Sequence, residues 1–165
     1  MSCIDAELTD AARETSKAIK NAGLTVVTAE SCTAGLVSAA LSHTDAASEI
    51  LHGSFVVYTK DNKTKALGVD RTLLMEKSSV CADVAEQMAR GALQRSPATL
   101  ALAVTGILGP DPDEDGNPVG LVYFAFCRRD GDTEIKRMDY DKADPDALRR
   151  RVTLDALEIL RRAAG

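Results

Sequence analysis

Short apolar runs alternate along the chain with stretches of helical spacing, and this alternation predicts the order of strands and helices. The apolar runs are rich in β-branched residues, which is typical of strands buried on both faces. The predicted strands are Leu24–Ala29, Gly53–Tyr58, Thr99–Thr105, Leu121–Cys127 and Glu134–Tyr140, the last two joined by an Asp130-Gly131 hairpin turn. The predicted helices are Thr9–Asn21, Ala34–Leu41, Ala82–Gln94 and Pro145–Arg162, with short helices capped by Asp61 and Asp70 and a polar connection at His43–Ala47.

The order of these elements favours one α/β domain. Strands alternate with helices and a hairpin closes the series, which predicts a three-layer α/β/α sandwich on a mixed, mostly parallel sheet with one antiparallel hairpin. No internal repeat or linker interrupts the sequence, and 165 residues are enough to bury a core. We therefore expect residues 1–165 to form a single domain.

Composition narrows the classes of partner. The net charge is −5 and no basic run stands out before the last helix, which argues against nucleic-acid binding. No apolar run reaches the roughly 18 residues that a membrane span needs, so no membrane partner is expected. The four cysteines form no Cys-x-x-Cys pair and the two histidines no cluster, so no metal or other cofactor is expected. Free thiols suit a reducing cytoplasm; the sequence leaves open whether the chain forms a homo-oligomer.

Polar residues mark the point where the first strand gives way to a helix. Glu30, Ser31, Cys32 and Thr33 lie at this junction. A helix N-terminus attracts anions, and open α/β sheets bind ligands at the carboxyl ends of their strands. The alternative is that Ser31 or Thr33 simply caps the helix, which is equally consistent with the local pattern.

Two further strands end in turns of similar character, at 58–63 and 105–110. If the three strands are neighbours, their turns line one crevice. No histidine follows a strand end, so the remaining nucleophile chemistry is a serine activated by a lysine of lowered pKa. The lysines Lys60, Lys63 and Lys65 are clustered, and the sequence does not show which of them faces inward; a solvated lysine on a helix is the commoner case.

A longer set of motifs resembles a known family. The run Thr28–Gly35 (Thr-Ala-Glu-Ser-Cys-Thr-Ala-Gly) is similar to the signature of the CinA C-terminal domain family, the nicotinamide-nucleotide amidohydrolases. The similarity continues in order through nearly the whole chain. It includes Gly53–Tyr58, Lys63, Leu67–Val69, Val84-Ala85, Met88-Ala89, Gly91-Ala92, Val104–Ile107, Gly109-Pro110 and Pro118–Gly120. Longer members of the family carry a further N-terminal domain. In contrast, we expect this chain to be a stand-alone form.

The resemblance implies deamidation of nicotinamide mononucleotide to nicotinic acid mononucleotide and ammonia, a salvage step towards NAD. Ser31 then matches the nucleophile and Lys63 the base. The resemblance and the local pattern together give the expected substrate-binding residues as Glu30, Cys32, Thr33, Tyr58, Thr105, Gly106 and Arg149. Three of these residues have an alternative interpretation. Glu30 either orients Lys63 or binds nearby backbone, and Tyr58 either contacts the ligand or belongs to the core. A cysteine in the position of Cys32 is more commonly a small buried thiol than a catalytic group. Arg149 or Arg150, or backbone near Gly106–Gly109, would hold the phosphate.

Two segments depart from the family pattern. Residues 78–81 lack the usual glycine and serine, and residues 108–117 carry the bulkier Leu108, four acidic residues and Asn117 where a lysine is usual. We expect this second loop to be mobile, and to repel a phosphate or narrow the pocket. Two alternatives therefore stay open: a nucleotide-binding module without turnover, and an amidase that acts on another amide.

Overall fold

The structure, a computed structural model, describes residues 4–165, which form five strands and seven helices. The strands are β1 (Val26–Glu30), β2 (Leu51–Val56), β3 (Leu100–Gly106), β4 (Leu121–Arg128) and β5 (Thr133–Asp139). The helices are α1 (Ala6–Asn21), α2 (Leu36–Ser42), α3 (Ala47–Ile50), α4 (Lys60–Leu67), α5 (Arg71–Glu76), α6 (Ala82–Gln94) and α7 (Pro145–Ala164). Cys3 lies outside the described residues.

The five strands form one mixed sheet in the order β2-β1-β3-β4-β5. Strand β1 pairs parallel with both β2 and β3, whereas β4 runs antiparallel to β3 and to β5. The predicted α/β class and the terminal hairpin are confirmed. Because β2, β1 and β3 are adjacent and parallel, their carboxyl ends meet at one edge of the sheet.

Helices cover both faces of the sheet, and the alternation of side chains along β3 shows why. Its residues Leu100, Leu102 and Val104 pack into a core with α1, α2 and α7, while Ala101 and Ala103 pack with α4, α5 and α6. The small alanines allow α6 to lie close to the sheet, since side chains on a strand point alternately to its two faces. The three-layer arrangement follows from this pattern.

Several predicted boundaries are wrong, for local reasons. Helix α1 begins three residues before Thr9, because the Asp5 carboxylate accepts the Leu8 N–H and caps it. Helix α4 is capped by Thr59, whose hydroxyl accepts the Asn62 N–H, and not by Asp61. Side-chain caps of this kind can stand at more than one position near a helix start, so sequence alone chooses poorly between them.

The second strand is also displaced from its prediction. It begins at Leu51, immediately after the single-turn helix α3. The sequence does not predict this helix and indicates only a polar connection that ends at Ala47. It ends at Val56, so Tyr58 lies in the turn beyond the strand. None of the helices within residues 4–165 is both long and apolar enough to cross a bilayer.

Candidate active site

The three turns predicted to line a crevice do lie at one edge of the sheet. The Ser31 N–H donates to the carbonyl of Val104 at 3.0 Å, and the Val57 N–H donates to the carbonyl of Glu30 at 2.8 Å. These bonds extend the pairing of β1 with both neighbours past its last residue. The turn after β1 is therefore fixed between the turns after β2 and β3.

That turn has an unusual backbone conformation at Ala34 and carries a serine hydroxyl that forms no hydrogen bond with another described residue. Ala34 has φ of 53° and Gly35 of 91°, values that L side chains rarely adopt. Ser31 is 6% exposed, and no residue of the described chain forms a hydrogen bond with its hydroxyl. Within residues 4–165, the N–H groups of Cys32 and Thr33 likewise have no acceptor in another residue. The turn thus presents a serine hydroxyl and two backbone N–H groups that no other described residue accepts.

Glu30 caps α2 from the strand before it. Its carboxylate is fully buried and accepts the N–H groups of Val37 and Ser38 at 3.1 and 2.9 Å. It also accepts the hydroxyl of Thr33 at 2.7 Å and that of Thr28 at 3.0 Å. The anion site expected at this helix N-terminus is filled by the chain's own carboxylate, not by a Ser31 or Thr33 cap. Glu30 thus binds nearby backbone, one of the two roles predicted for it, and Thr33 binds Glu30. Ligand contacts of either residue stay a prediction.

Lys63 is the lysine of the cluster that faces inward. It is 1% exposed, and its Nζ donates to the Ser79 carbonyl and to the Thr105 hydroxyl, both at 2.8 Å. Burial is the main reason that its pKa falls to about 8 from 10.5. Lys60 and Lys65 instead form ion pairs nearer the surface. A lysine at this pKa is partly neutral near physiological pH and can accept a proton.

Cys32 behaves as a buried thiol. Desolvation raises its pKa to about 12, although the positive charge of Lys63 opposes this rise. A thiol with that pKa is not ionised near neutral pH, so it is a poor nucleophile. Cys32 directly follows Ser31 in the turn, and the charge of Lys63 acts on its thiol.

The other predicted site residues have varied surroundings. Tyr58 is 75% exposed, which excludes the core reading and leaves its ring free for a ligand. Thr105 is buried and serves as acceptor for Lys63 while it donates to the Ser79 carbonyl at 3.0 Å. Gly106 has no room for a side chain, because a Cβ there would lie 2.6 Å from Val122 Cγ2 and 2.8 Å from the Leu121 oxygen. Thr105 and Gly106 are thus explained by packing and by Lys63.

Arg149 reaches the turn after β1 from the C-terminal helix. Its Nε donates to the Cys32 carbonyl at 3.4 Å, and its Nη1 pairs with Asp146 at 2.7 Å. The guanidinium remains partly exposed at the site. Arg150 lies elsewhere, paired with Asp5 and Glu7 of α1. The sequence left both arginines as candidates for binding the phosphate, but in the structure only Arg149 of these two contacts the turn that bears Ser31.

Side-chain contacts join the acidic loop between β3 and β4 to neighbouring segments, and the mobility expected of this loop stays a prediction. Asn117 Nδ2 donates to Ser78 Oγ at 2.7 Å, and Asp115 pairs with Lys60 at 2.9 Å. The Leu108 side chain is buried in the hydrophobic core with α1 and α7. The segments 78–81 and 108–117, which both depart from the family pattern, therefore contact each other, and the sequence alone does not predict that contact.

The described residues contain no group of three His, Cys, Asp or Glu side chains arranged to hold a metal ion. The site offers a serine hydroxyl, a buried amine of lowered pKa and backbone N–H groups without an acceptor in another described residue. These are the parts of a serine-based acyl transfer site.

Comparison with known proteins agrees with this geometry. The family model for the CinA C-terminal domain matches residues 8–164. The chain belongs to this family. A CinA-like protein of Mycolicibacterium gilvum is 44% identical over 142 residues, which cover 86% of this chain and 33% of that protein. The chain thus spans about a third of that relative, and a CinA-like protein of Geobacter sulfurreducens is covered to the same 33%.

Other relatives match over nearly their whole length. The nicotinamide-nucleotide amidohydrolase PncC of Escherichia coli K12 is 36% identical over 156 residues, which cover 94% of each chain. Among solved structures, the competence/damage inducible protein CihA of Agrobacterium tumefaciens has a TM-score of 0.90 at 39% identity, with 97% of each chain covered. Family membership and fold are therefore supported over nearly the whole chain.

Proposed function

We propose that the chain hydrolyses the carboxamide of nicotinamide mononucleotide, with Ser31 as nucleophile and Lys63 as base. The observation that carries the proposal is the buried Lys63 at the strand-end edge that also presents the free Ser31 hydroxyl. The substrate is suggested by the name of the E. coli relative, which this chain matches over 94% of both lengths. The roles of Ser31 and Lys63 are thus inferred from the geometry of the site, and the substrate from the relative.

Lys63 is arranged to work as a base in its neutral form. A neutral amine has two hydrogens and one lone pair, and the Ser79 carbonyl and Thr105 hydroxyl are the two acceptors of its hydrogens. The lone pair is then left to accept the Ser31 proton when the substrate is bound. No hydrogen bond of the described chain holds the Ser31 hydroxyl in another direction.

The reaction proceeds in two stages that restore the enzyme. Ser31 Oγ attacks the carboxamide carbon as Lys63 takes its proton, and the carbonyl oxygen becomes an oxyanion. The N–H groups of Cys32 and Thr33 are the candidate donors to that oxyanion. The C–N bond then breaks as Lys63 returns the proton to the leaving ammonia. Water, deprotonated by Lys63, hydrolyses the resulting ester to the carboxylate and frees Ser31.

The test is ammonia release from nicotinamide mononucleotide by the parent, Ser31→Ala, Lys63→Met and Lys65→Ala. We expect turnover by the parent and a loss of about 1000-fold or more in the first two variants. Lys65 is exposed on the same helix and paired with Asp61, so its variant is the matched control and should keep parental activity. Unchanged turnover in Ser31→Ala would overturn the nucleophile assignment. Binding without turnover in the parent would favour a nucleotide-binding module instead.

A further inference from the structure

Helix α4 contributes two lysines to one closed ring of contacts. Lys63 Nζ donates to the Ser79 carbonyl at 2.8 Å. On the other side of the same residue, the Ser79 N–H donates to Asp115 Oδ2 at 3.4 Å. Asp115 in turn pairs with Lys60, one helical turn before Lys63, at 2.9 Å. The backbone of Ser79 is therefore held between the inward lysine and the acidic loop.

The ring is well shielded and doubly anchored. The side chains of Lys60 and Asp115 are each only 21% exposed, so this ion pair is less screened by solvent than the other surface pairs of α4. Asn117 fixes the adjacent Ser78 hydroxyl at 2.7 Å, and Ser78 Oγ accepts the Val80 N–H at 2.9 Å. Two residues of the loop thus determine where the 78–80 turn lies, and that turn carries the acceptor for Lys63.

We propose that Asp115 is a positioning residue for Lys63, acting through the Ser79 backbone that it holds and through the Lys60 charge that it neutralises. The inference rests on the proposed function, in which Lys63 is the base. An amine whose acceptor shifts by even one ångström aims its lone pair elsewhere, and misplacement of that size is costly in catalysis. The acidic loop is in this view a support for the catalytic base.

The charge near Lys63 gives the proposal a second readout. The ionisable groups that act on Lys63 are Lys60 on its own helix, Cys32 after β1, Cys81 before α6 and Asp113 in the acidic loop. Among these, Lys60 lowers the pKa of Lys63. Lys60 pairs with Asp115 at 2.9 Å and with the more exposed Glu114 at 3.0 Å, so Glu114 stays in place when Asp115 is replaced. Removing the Asp115 carboxylate leaves the Lys60 charge less balanced and should move the Lys63 titration to lower pH.

The experiment compares the full chain with Asp115→Ala and Asp111→Asn. Asp111 lies in the same loop, is exposed and has no hydrogen bond or ion pair with another described residue, so its variant removes the same charge without touching the ring. We expect Asp115→Ala to lower kcat about tenfold with little change in KM, since it disturbs chemistry and not binding. The pH midpoint of its kcat should lie below the parental value. Asp111→Asn should match the parent in all three.

A spectroscopic titration makes the result independent of turnover. In protein labelled with ¹³C-lysine, the Cε resonance of Lys63 is the one lost in Lys63→Met. Its midpoint should move to lower pH in Asp115→Ala and stay in place in Asp111→Asn. Coincident titrations and equal kcat in parent and Asp115→Ala would overturn the proposal, and so would a change confined to KM. If the parent does not deamidate nicotinamide mononucleotide, the proposed function fails while the titration still decides the positioning role.

Discussion

At the scale of the residue, the pKa of Lys63 determines how the proposed activity depends on pH. Burial lowers this pKa to about 8, and only the neutral amine can accept the Ser31 proton. We therefore expect kcat/KM to rise about tenfold for each pH unit below about pH 8 and to level off above it. The measurement is a pH profile of ammonia release. A flat profile across this range would contradict Lys63 as the base.

The same burial predicts a cost in stability. Because the folded-state pKa of Lys63 lies below its unfolded value of 10.5, the unfolded chain binds the proton more tightly. Parental stability should therefore rise with pH between about 8 and 10.5 and be lowest, for this contribution, below about 8.

Lys63→Met removes this cost and fills a similar volume. Thr105 still donates to the Ser79 carbonyl, so no buried acceptor is left unpaired. We expect Lys63→Met to gain on the order of 2 kcal/mol in free energy of unfolding at neutral pH. The gain should shrink as the pH approaches 10.5. Urea denaturation of both proteins at several pH values measures it, and a variant less stable than the parent at neutral pH would contradict the argument.

At the scale of the element, the turn between β1 and α2 depends on the Glu30 carboxylate, for which the sequence left open whether it orients Lys63 or binds nearby backbone. Glu30 ends a strand whose five residues are all buried, so pattern alone suggests an inward polar side chain with a chemical role. Its actual partners, the Val37 and Ser38 N–H groups, lie seven and eight residues later. Capping preferences describe residues close to the helix start, and so they do not reveal a cap that comes from the preceding strand.

Glu30→Gln tests this cap. The amide replaces one acceptor oxygen by a donor, and that donor would face an N–H or hydroxyl group that already donates. We expect a loss of about 2–4 kcal/mol in free energy of unfolding, because a buried donor loses its acceptor. Glu49→Gln, which alters an exposed pair with Lys20, is the control and should change stability by less than about 1 kcal/mol. Equal effects in the two variants by chemical denaturation would contradict the capping role.

At the scale of the whole molecule, the sequence predicted the fold better than the site. The types and order of the strands are local properties of apolar runs, and all five were predicted within two residues of their ends. Which lysine faces inward depends on how α4 packs against α6 and β3, which no local pattern records. The contact between residues 78–79 and 115–117 is similarly tertiary. The segments 78–81 and 108–117 each depart from the family pattern in the sequence, but only the fold brings them together near Lys63.

The C-terminal helix closes the site from the far end of the chain, and this placement supports a role for Arg149. Its Nε contacts the Cys32 carbonyl across 117 residues of sequence, so α7 places a partly exposed guanidinium beside the turn that bears Ser31. A guanidinium suits a phosphate because its planar donors can bind two oxygens at once. We therefore assign to Arg149 the phosphate of the proposed nucleotide substrate.

Arg149→Ala should raise KM for nicotinamide mononucleotide about tenfold or more, with a smaller change in kcat, since the phosphate is remote from the reacting carbon. Arg151→Ala, on the same helix, exposed and paired with Asp155, is the matched control and should leave KM unchanged. Nicotinamide riboside, which lacks the phosphate, separates the two possible effects. If Arg149 binds the phosphate, parent and Arg149→Ala should act on the riboside alike. If Arg149 instead only holds the Cys32 carbonyl, the variant should lose activity on both substrates to the same extent, and the assignment would be wrong.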